Sequence, residues 1–270
     1  MCLILFSWQN DPHYPLVVAA NRDEFYQRPT APLAPWKNSP VIAGQDLQAG
    51  GTWLGITESG RFAAVTNFRQ ASEMGSAFPV SRGRLCQDFL EGTMSTEDYL
   101  TAVRAIAMDT GGFNLLVSDG KTLGYGCNRF GAEEGAPYYD FNPALAAGLY
   151  GLSNHRLDTP WPKVRHSKQL MQAFMAELQP SQQASPAKLN ESHFLQVVAS
   201  ADEAEDHELP DTGIGLDKER FLSPSFIRSS LDYGTRASTI LIRDHAGEQT
   251  MMEQTWLPGG QTGVRTLICL

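Results

Sequence analysis

The sequence predicts an α+β domain in which two antiparallel sheets pack face to face and each carries a helix pair on its outer side, a four-layer α-β-β-α sandwich. Three observations predict it. The elements come in blocks of strands, then a helix pair, strands, a helix pair and strands, an order that suits stacked layers. The first strand, Cys2–Trp8, is apolar on both faces, with Cys2, Ile4, Phe6 and Trp8 pointing one way and Leu3, Leu5 and Ser7 the other, so it needs cover on both sides. A chain of 270 residues with 42% hydrophobic content buries a large core, and we read it as one domain over residues 1–270.

Taken in order, the opening is rich in short β-like runs: Cys2–Trp8, Leu16–Asn21, Val41–Gln45, Thr52–Ile56 and Phe62–Asn67. Asn-Asp-Pro, a Pro-rich stretch, Gly50-Gly51 and Glu58-Ser59-Gly60 separate them, so they read as hairpins and a meander. Helices follow over Ser81–Leu90 and Ser95–Ala107, the second opened by Ser95 with Asp98 at N3, a variant of the capping box. Strands return at Phe113–Ser118, Leu123–Asn128 and Leu149–Leu152. A second helix pair is expected over Lys163–Leu178 and Glu191–Ala201, with the Gln/Ser-rich Gln179–Ala187 between them as a solvated loop. Strands at Ala237–Arg243, Glu248–Leu257 and Val264–Leu270 close the pattern.

Composition narrows the partners. The formal charge of −9 disfavours nucleic acid and anionic membrane, both of which reward clustered Lys and Arg, and leaves a small-molecule ligand or a protein. No apolar run reaches the ~20 residues of a membrane span, and MCLILFSWQNDP lacks the basic start and small-residue cleavage site of a secretory signal, so a cytoplasmic location is expected. The four cysteines, Cys2, Cys86, Cys127 and Cys269, are far apart and form no C-x-x-C pair or zinc-like spacing; reduced thiols and no resident metal or required cofactor are expected.

Cys2 carries the most chemistry. A small second residue favours removal of Met1, which would leave a thiol and an α-amino group on one residue; the amine, titrating near ~8, can serve as base for a thiol near ~8.5. Otherwise Cys2 is a small apolar packing residue. Polar residues cluster at strand ends around it. In Asn21-Arg22-Asp23-Glu24, alternation puts Asn21 and Asp23 on one side and Arg22 and Glu24 on the other, and one pair only can share the face of Cys2. Asp23 can hold an α-ammonium, Asn21 an oxyanion and Arg22 a ligand carboxylate, or Arg22 and Glu24 form an ion pair.

Similar strand ends are Thr66-Asn67-Phe68-Arg69, Ser153-Asn154-His155 and Tyr233-Gly234-Thr235-Arg236. The amides of Asn67 and Asn154 suit an oxyanion hole, and Arg236 can orient a carboxylate or lower a thiol pKa. The structural alternative is that each is a turn former or a surface charge. His155 is the one histidine beside such a residue. Gly50-Gly51-Thr52-Trp53 lacks the Lys and the strand-to-helix placement of a phosphate loop and reads as a hairpin turn, with Trp53 as core or pocket wall.

With Met1-Cys2, Asn21-Arg22-Asp23-Glu24, Gly50 to Gly55, Thr66 to Arg69, Gly151-Leu152-Ser153-Asn154, Leu209 to Gly213 and Tyr233 to Thr239 in this order, the chain resembles the NRDE family, also called the transport and Golgi organisation 2 family. The resemblance implies a fold similar to N-terminal-nucleophile hydrolases such as choloylglycine hydrolases and penicillin V acylase, which cleave amides with an N-terminal cysteine. By that likeness Cys2 is the nucleophile, Asp23 supports its amine, Asn67 and Asn154 form oxyanion or positioning groups and Arg236 supports the site. An Arg and an Asp stand three apart in those hydrolases and adjacent here. The resemblance also implies haem trafficking, or handling of acyl-coenzyme A or lipid, with haem as cargo and transient haem donor or acceptor proteins as partners. Cys2 or His155 would then ligate iron, and Arg22, Arg69 and Arg236 would neutralise propionates or phosphates.

Overall fold

In a computed structural model, which describes residues 2–73, 75–131, 136–178 and 195–270, the strands fall into two antiparallel sheets in two compact units. The α+β class with two antiparallel sheets is therefore as expected. One unit comprises Met1–Gln27, Ala146–Ser153 and Leu157–Leu270, and the other Arg28–Leu145 and Asn154–Arg156.

In the first unit, β1 (Cys2–Trp8), β2 (Leu16–Phe25), β10 (Gly148–Leu152), β11 (Tyr233–Arg243), β12 (Gln249–Leu257) and β13 (Gln261–Cys269) make a six-stranded sheet in the order β10-β1-β2-β11-β12-β13. Leu3 and Leu5 of β1, Val17 and Ala19 of β2, and Ile240 and Ile242 of β11 pack on Trp161, Val164, Met171 and Phe174, from the start and inward face of helix α3 (Pro162–Glu177). Pro162 suits the first turn of α3, where its missing N–H has no partner to lose. The other face of β1 is equally dry: Ile4, Phe6 and Trp8 are 2%, 0% and 4% exposed, and Phe6 stacks on Tyr150, its partner across the β1–β10 ladder. Both faces of β1 are buried, as its composition requires.

The second unit is a meander of β3 (Thr30–Pro35), β4 (Ile42–Asp46), β5 (Leu54–Ile56), β6 (Phe62–Asn67), β7 (Phe113–Ser118), β8 (Leu123–Phe130) and β9 (Tyr138–Asn142), each paired with the next in sequence. Helices α1 (Arg82–Glu91) and α2 (Thr96–Val103) cover one face through Leu85, Phe89, Leu100 and Val103 against Val65, Leu115 and Val117. Ser95 caps α2 as its sequence predicts, accepting from the Asp98 N–H at 3.1 Å and donating to the Asp98 carboxylate at 2.7 Å. Gly50 turns the chain with φ +85, and Gly51 lies so close to Gly83 at the start of α1 that a side chain there would strike backbone. The Gly-Gly is thus a turn and a helix-docking point.

Three elements escape the sequence reading. Strand β3 contains Pro32 and Pro35, which suggest a loop, but at a sheet edge the missing N–H costs no ladder bond. Strand β9 is the opposite edge, short and mostly exposed, with Tyr139 alone buried. Helix α4 (Leu216–Phe221) is a short turn after Gly215. The helix expected to reach Ala107 ends at Val103, and Ala107–Asp109 forms a separate 3-10 turn. The expected loop Gln179–Ala187 and the first part of the expected helix Glu191–Ala201 lie outside the described residues; of the rest, residues 195–196 are helical and 197–198 a turn, with bonds from Val198 N–H to Leu195 O at 3.2 Å and from Ala199 N–H to Gln196 O at 3.4 Å. Among the described residues no helix is long and apolar enough to cross a membrane, and all four cysteines are free.

The contact of Gly51 with Gly83 predicts that Gly51→Ala destabilises the protein by about 1–3 kcal/mol, because backbone cannot retreat as a side chain can. Denaturant unfolding measures it; an unchanged midpoint would mean the helix start moves away at no cost.

Candidate functional site

Register decides which residues share the face of Cys2. Cys2 pairs with Arg22 across β1 and β2, and directly opposed residues of an antiparallel pair point the same way. Arg22 and Glu24 therefore share the face of Cys2, while Asn21 and Asp23 point to the helix-backed side. Arg22 is 5% exposed, and its guanidinium stands 3.8 Å from Glu24.

On the far side of β2 the ladder to β11 jumps from Thr235–Asp23 to Ala237–Arg22, so Arg236 is the extra residue of a bulge. The bulge sets Arg236 next to Arg22. Its Nη1 donates to Phe25 O at 2.8 Å and to Tyr26 O at 3.1 Å, and its guanidinium lies 5.8 Å from the centre of the Tyr26 ring. Burial lowers the Arg236 pKa, and the charge of Arg22 lowers it further, against the opposing pull of Glu24 and Tyr26. Two guanidiniums thus lie within electrostatic reach of each other at the end of the sheet where Arg22 pairs with Cys2.

The helix-backed face is spent on structure at Asn21. Its amide donates to Val198 O and Ser225 O, both at 2.7 Å, and accepts from Ser238 Oγ at 2.6 Å. Both donors and the oxygen are engaged in tying the sheet to the chain above it, so Asn21, expected as a ligand contact, holds the scaffold and faces away from Cys2.

Asp23 is 2% exposed and accepts from Thr235 Oγ1 at 2.6 Å, while its backbone oxygen accepts from the Tyr233 hydroxyl at 3.0 Å. Burial pushes its carboxyl above the ordinary range, against the pull of Lys163, Thr235 and Arg22. Cys2 is a near neighbour of Asp23 although their side chains belong to opposite faces. Burial raises the thiol pKa most, the Asp23 charge adds to it, and Arg22 and the Asp23 N–H favour the thiolate. Ser153, at the end of β10, donates to the Cys2 carbonyl at 3.2 Å, pinning the backbone of Cys2 on the side away from β2.

Two supporting residues went unread in the sequence. Lys163, 5% exposed at the start of α3, donates to Leu222 O at 2.8 Å and presents its charge to Asp23. Thr235, within the strand-end motif Tyr233-Gly234-Thr235-Arg236, donates to Asp23 while accepting from Ile227 N–H at 2.8 Å. A buried Lys in Trp-Pro-Lys-Val has no distinguishing local signal.

The remaining candidates lie in the second unit. Asn154, fully buried, donates to Asn67 O at 2.9 Å, and its own carbonyl accepts from Arg69 N–H at 2.6 Å, so the two strand-end motifs are tied to each other. The His155 ring packs 4.9 Å from that of Phe68. Arg69 is buried at 8% exposure. Trp53 lies apart, its indole over Gly44, where any side chain would collide with it. The structure thus groups Cys2, Arg22, Asp23 and Arg236 in one unit and Asn67, Arg69, Asn154 and His155 in the other.

The raised Asp23 pKa has a defined sign. The folded protein holds this proton more tightly than the unfolded chain, whose carboxyl titrates near 3.8, so ionising Asp23 costs stability as pH rises through the folded value. Asp23→Asn should therefore gain stability relative to wild type as pH rises from ~4 to ~7, read by denaturant unfolding at a series of pH values. Parallel curves would contradict the shift.

Comparison with known proteins gives the chain its relatives. The family model for Transport and Golgi organisation 2 matches residues 1–258. The chain is 35% identical to the Transport and Golgi organization protein 2 homolog of Bos taurus, covering 97% of this chain and 95% of that one. It is 33% identical to the homolog of Homo sapiens, covering 95% and 94%. Among solved structures it is similar, at 9% identity and a TM-score of 0.48, to the Caenorhabditis elegans N-acylethanolamine-hydrolyzing acid amidase ortholog, with 89% of this chain and 92% of that chain covered. For a C2A mutant of conjugated bile acid hydrolase from Clostridium perfringens the identity is 9%, the TM-score 0.49 and the coverage 99% and 92%. The extent and identity of the sequence matches place this chain in the Transport and Golgi organisation 2 family.

Proposed function

We propose that the chain binds a small amphipathic anion, haem or an acyl or lipid compound, at the Arg22–Arg236 corner beside Cys2, and that it serves intracellular haem trafficking. One observation carries this reading: the bulge at Arg236 brings a second guanidinium within electrostatic reach of Arg22, on the sheet end that bears Cys2. Adjacent like charges repel, Glu24 offsets one of the two, and a ligand carboxylate or phosphate relieves the remaining positive charge while matching the fork geometry of guanidinium. Haem, with its two propionates, and acyl carboxylates or phosphates meet this requirement. In this reading haem passes to and from transient protein partners in the cytoplasm, and no resident cofactor is needed.

A second reading is favoured by the fixing of Cys2 between Arg22, Asp23 and Ser153. With Met1 removed, the Cys2 amine would take the thiol proton, and the thiolate would attack an acyl amide or thioester. The leaving amine or thiol would depart with a proton, and water would then cleave the acyl-enzyme. The thiol pKa in this structure is raised rather than lowered, so this chemistry needs that amine as base.

Titration of purified protein with haem separates the two readings. We expect a shifted Soret band and, for Arg22→Glu or Arg236→Glu, binding weakened about tenfold or more, as loss of a charge-assisted contact implies. Cys2→Ala should bind haem with at most a modest loss if the arginines and burial hold it, and with a lost or moved Soret band if the thiolate is the axial ligand. No spectral change at micromolar haem would overturn the haem reading. Cleavage of an acyl panel by wild-type protein lacking Met1, lost by orders of magnitude in Cys2→Ala, would establish the hydrolase instead.

A further inference from the structure

Among the described residues no strand pairs with the outer side of the last strand of the six-stranded sheet. Strand β13 is nine residues long, and every one of them is exposed or half-buried, so neither of its faces is packed as those of β1 and β2 are. Val264, Leu267 and Leu270 are 57%, 48% and 36% exposed. An edge of this kind invites pairing with another strand, and proteins usually blunt it with Pro, Lys, an inward charge or a bulge. From Arg265 to Cys269 there is none of these: the bulge of the last two strands falls on β13 at Gly263–Val264, outside this stretch, and the one charged residue, Arg265, is held by Gln254 at 2.9 Å.

The hydrogen-bond pattern shows which groups point outward. Leu270 and Gln249 exchange both backbone bonds, Gln249 N–H to Leu270 O at 3.1 Å and Leu270 N–H to Gln249 O at 2.9 Å. Such pairs alternate along an antiparallel ladder, and the register is unbroken from Cys269 to Arg265. Ile268 and Thr266 therefore turn their backbone groups toward β12, while Arg265, Leu267 and Cys269 turn theirs to the open edge.

We propose that this edge pairs with the same edge of a second copy of the chain, antiparallel across a two-fold axis perpendicular to the sheet, joining two six-stranded sheets into one. The strand is complementary to itself. Such an axis opposes residues of equal parity, so the outward set meets the outward set, with Leu267 opposite Leu267 of the partner subunit and Arg265 opposite Cys269 of the partner subunit, each pair exchanging both bonds. Charge points to the same occupant. The chain carries −9 overall, yet β13 contains no acidic residue, so two acidic molecules can meet along this strand without opposing carboxylates.

Sedimentation equilibrium or light scattering of the full chain tests the proposal. The expected result is a dimer at tens of micromolar that Leu267→Lys, which sets two ammonium groups face to face at the axis, weakens at least tenfold while leaving the circular dichroism spectrum unchanged. A second measurement is independent of that variant's folding. Leu267→Cys in a Cys269→Ser background should form a covalent dimer under mild oxidation, since Cα atoms of such a pair stand ~5.5 Å apart, within disulfide range. A monomer at ~100 μM, weaker than even a transient micromolar dimer allows, would overturn the proposal. So would a dimer unaffected by Leu267→Lys, or oxidation of Leu267→Cys without a covalent dimer.

Discussion

The site depends on the register of β2 between its two neighbours. Strand β2 pairs with β1 so that Arg22 meets Cys2, and with β11 so that Asp23 meets Thr235 and Arg22 meets Ala237. A slip of one residue would send Arg22 to the helix-backed face and bring Asn21 and Asp23 to Cys2. The apolar residues forbid it: Leu3, Leu5, Val17 and Ala19 must face α3, and the same slip would lift all four out of that core. Hydrophobic alternation at one end of the strands thus sets the chemistry at the other. Asn21 locks the arrangement, because its amide reaches carbonyls on one face only.

Charges held by this register are placed at a cost. Arg22, Asp23 and Lys163 are all 5% exposed or less, and removing a charge from water is unfavourable unless partners compensate. Thr235 and Lys163 compensate for Asp23, and Glu24 stands across from Arg22. Replacing buried charges by an apolar set of the same volume is often neutral or stabilising, so stability alone does not call for this cluster. Arg236 shows how it is built: a bulge spends one residue of ladder to aim a second guanidinium where a regular strand would have pointed it elsewhere.

Much of this was legible in the sequence, and the exceptions have definite causes. Strands Cys2–Trp8, Phe62–Asn67 and Phe113–Ser118 match their expected bounds because their apolar runs end at turn residues. The strand-end motifs were visible as polar residues following such runs. Which face Arg22 takes was not, since that follows from the connection between Gln9 and Pro15, closed by a bond from Gln9 N–H to Pro15 O at 2.8 Å with Gln9 at φ 47; Asn10-Asp11-Pro12 marks a turn there but does not fix the register of the strands it joins. Asn21 looked like a ligand contact because the carbonyls it binds, at Val198 and Ser225, are remote in sequence. Lys163 was invisible for the same reason. The prolines of β3 hid an edge strand because a breaker in a central strand is harmless at an edge.

The central claim is that Arg22 and Arg236, placed together by the ladder and its bulge, receive the anionic end of a ligand beside Cys2. A crystal structure of the protein with haem, or with an acyl carboxylate, tests it most directly. The expected result is a ligand oxygen within ~3 Å of each guanidinium, with the ligand body passing the Cys2 thiol. A ligand bound with both arginines still engaged solely by protein groups, or seated on the helix-backed face of the sheet, would contradict it.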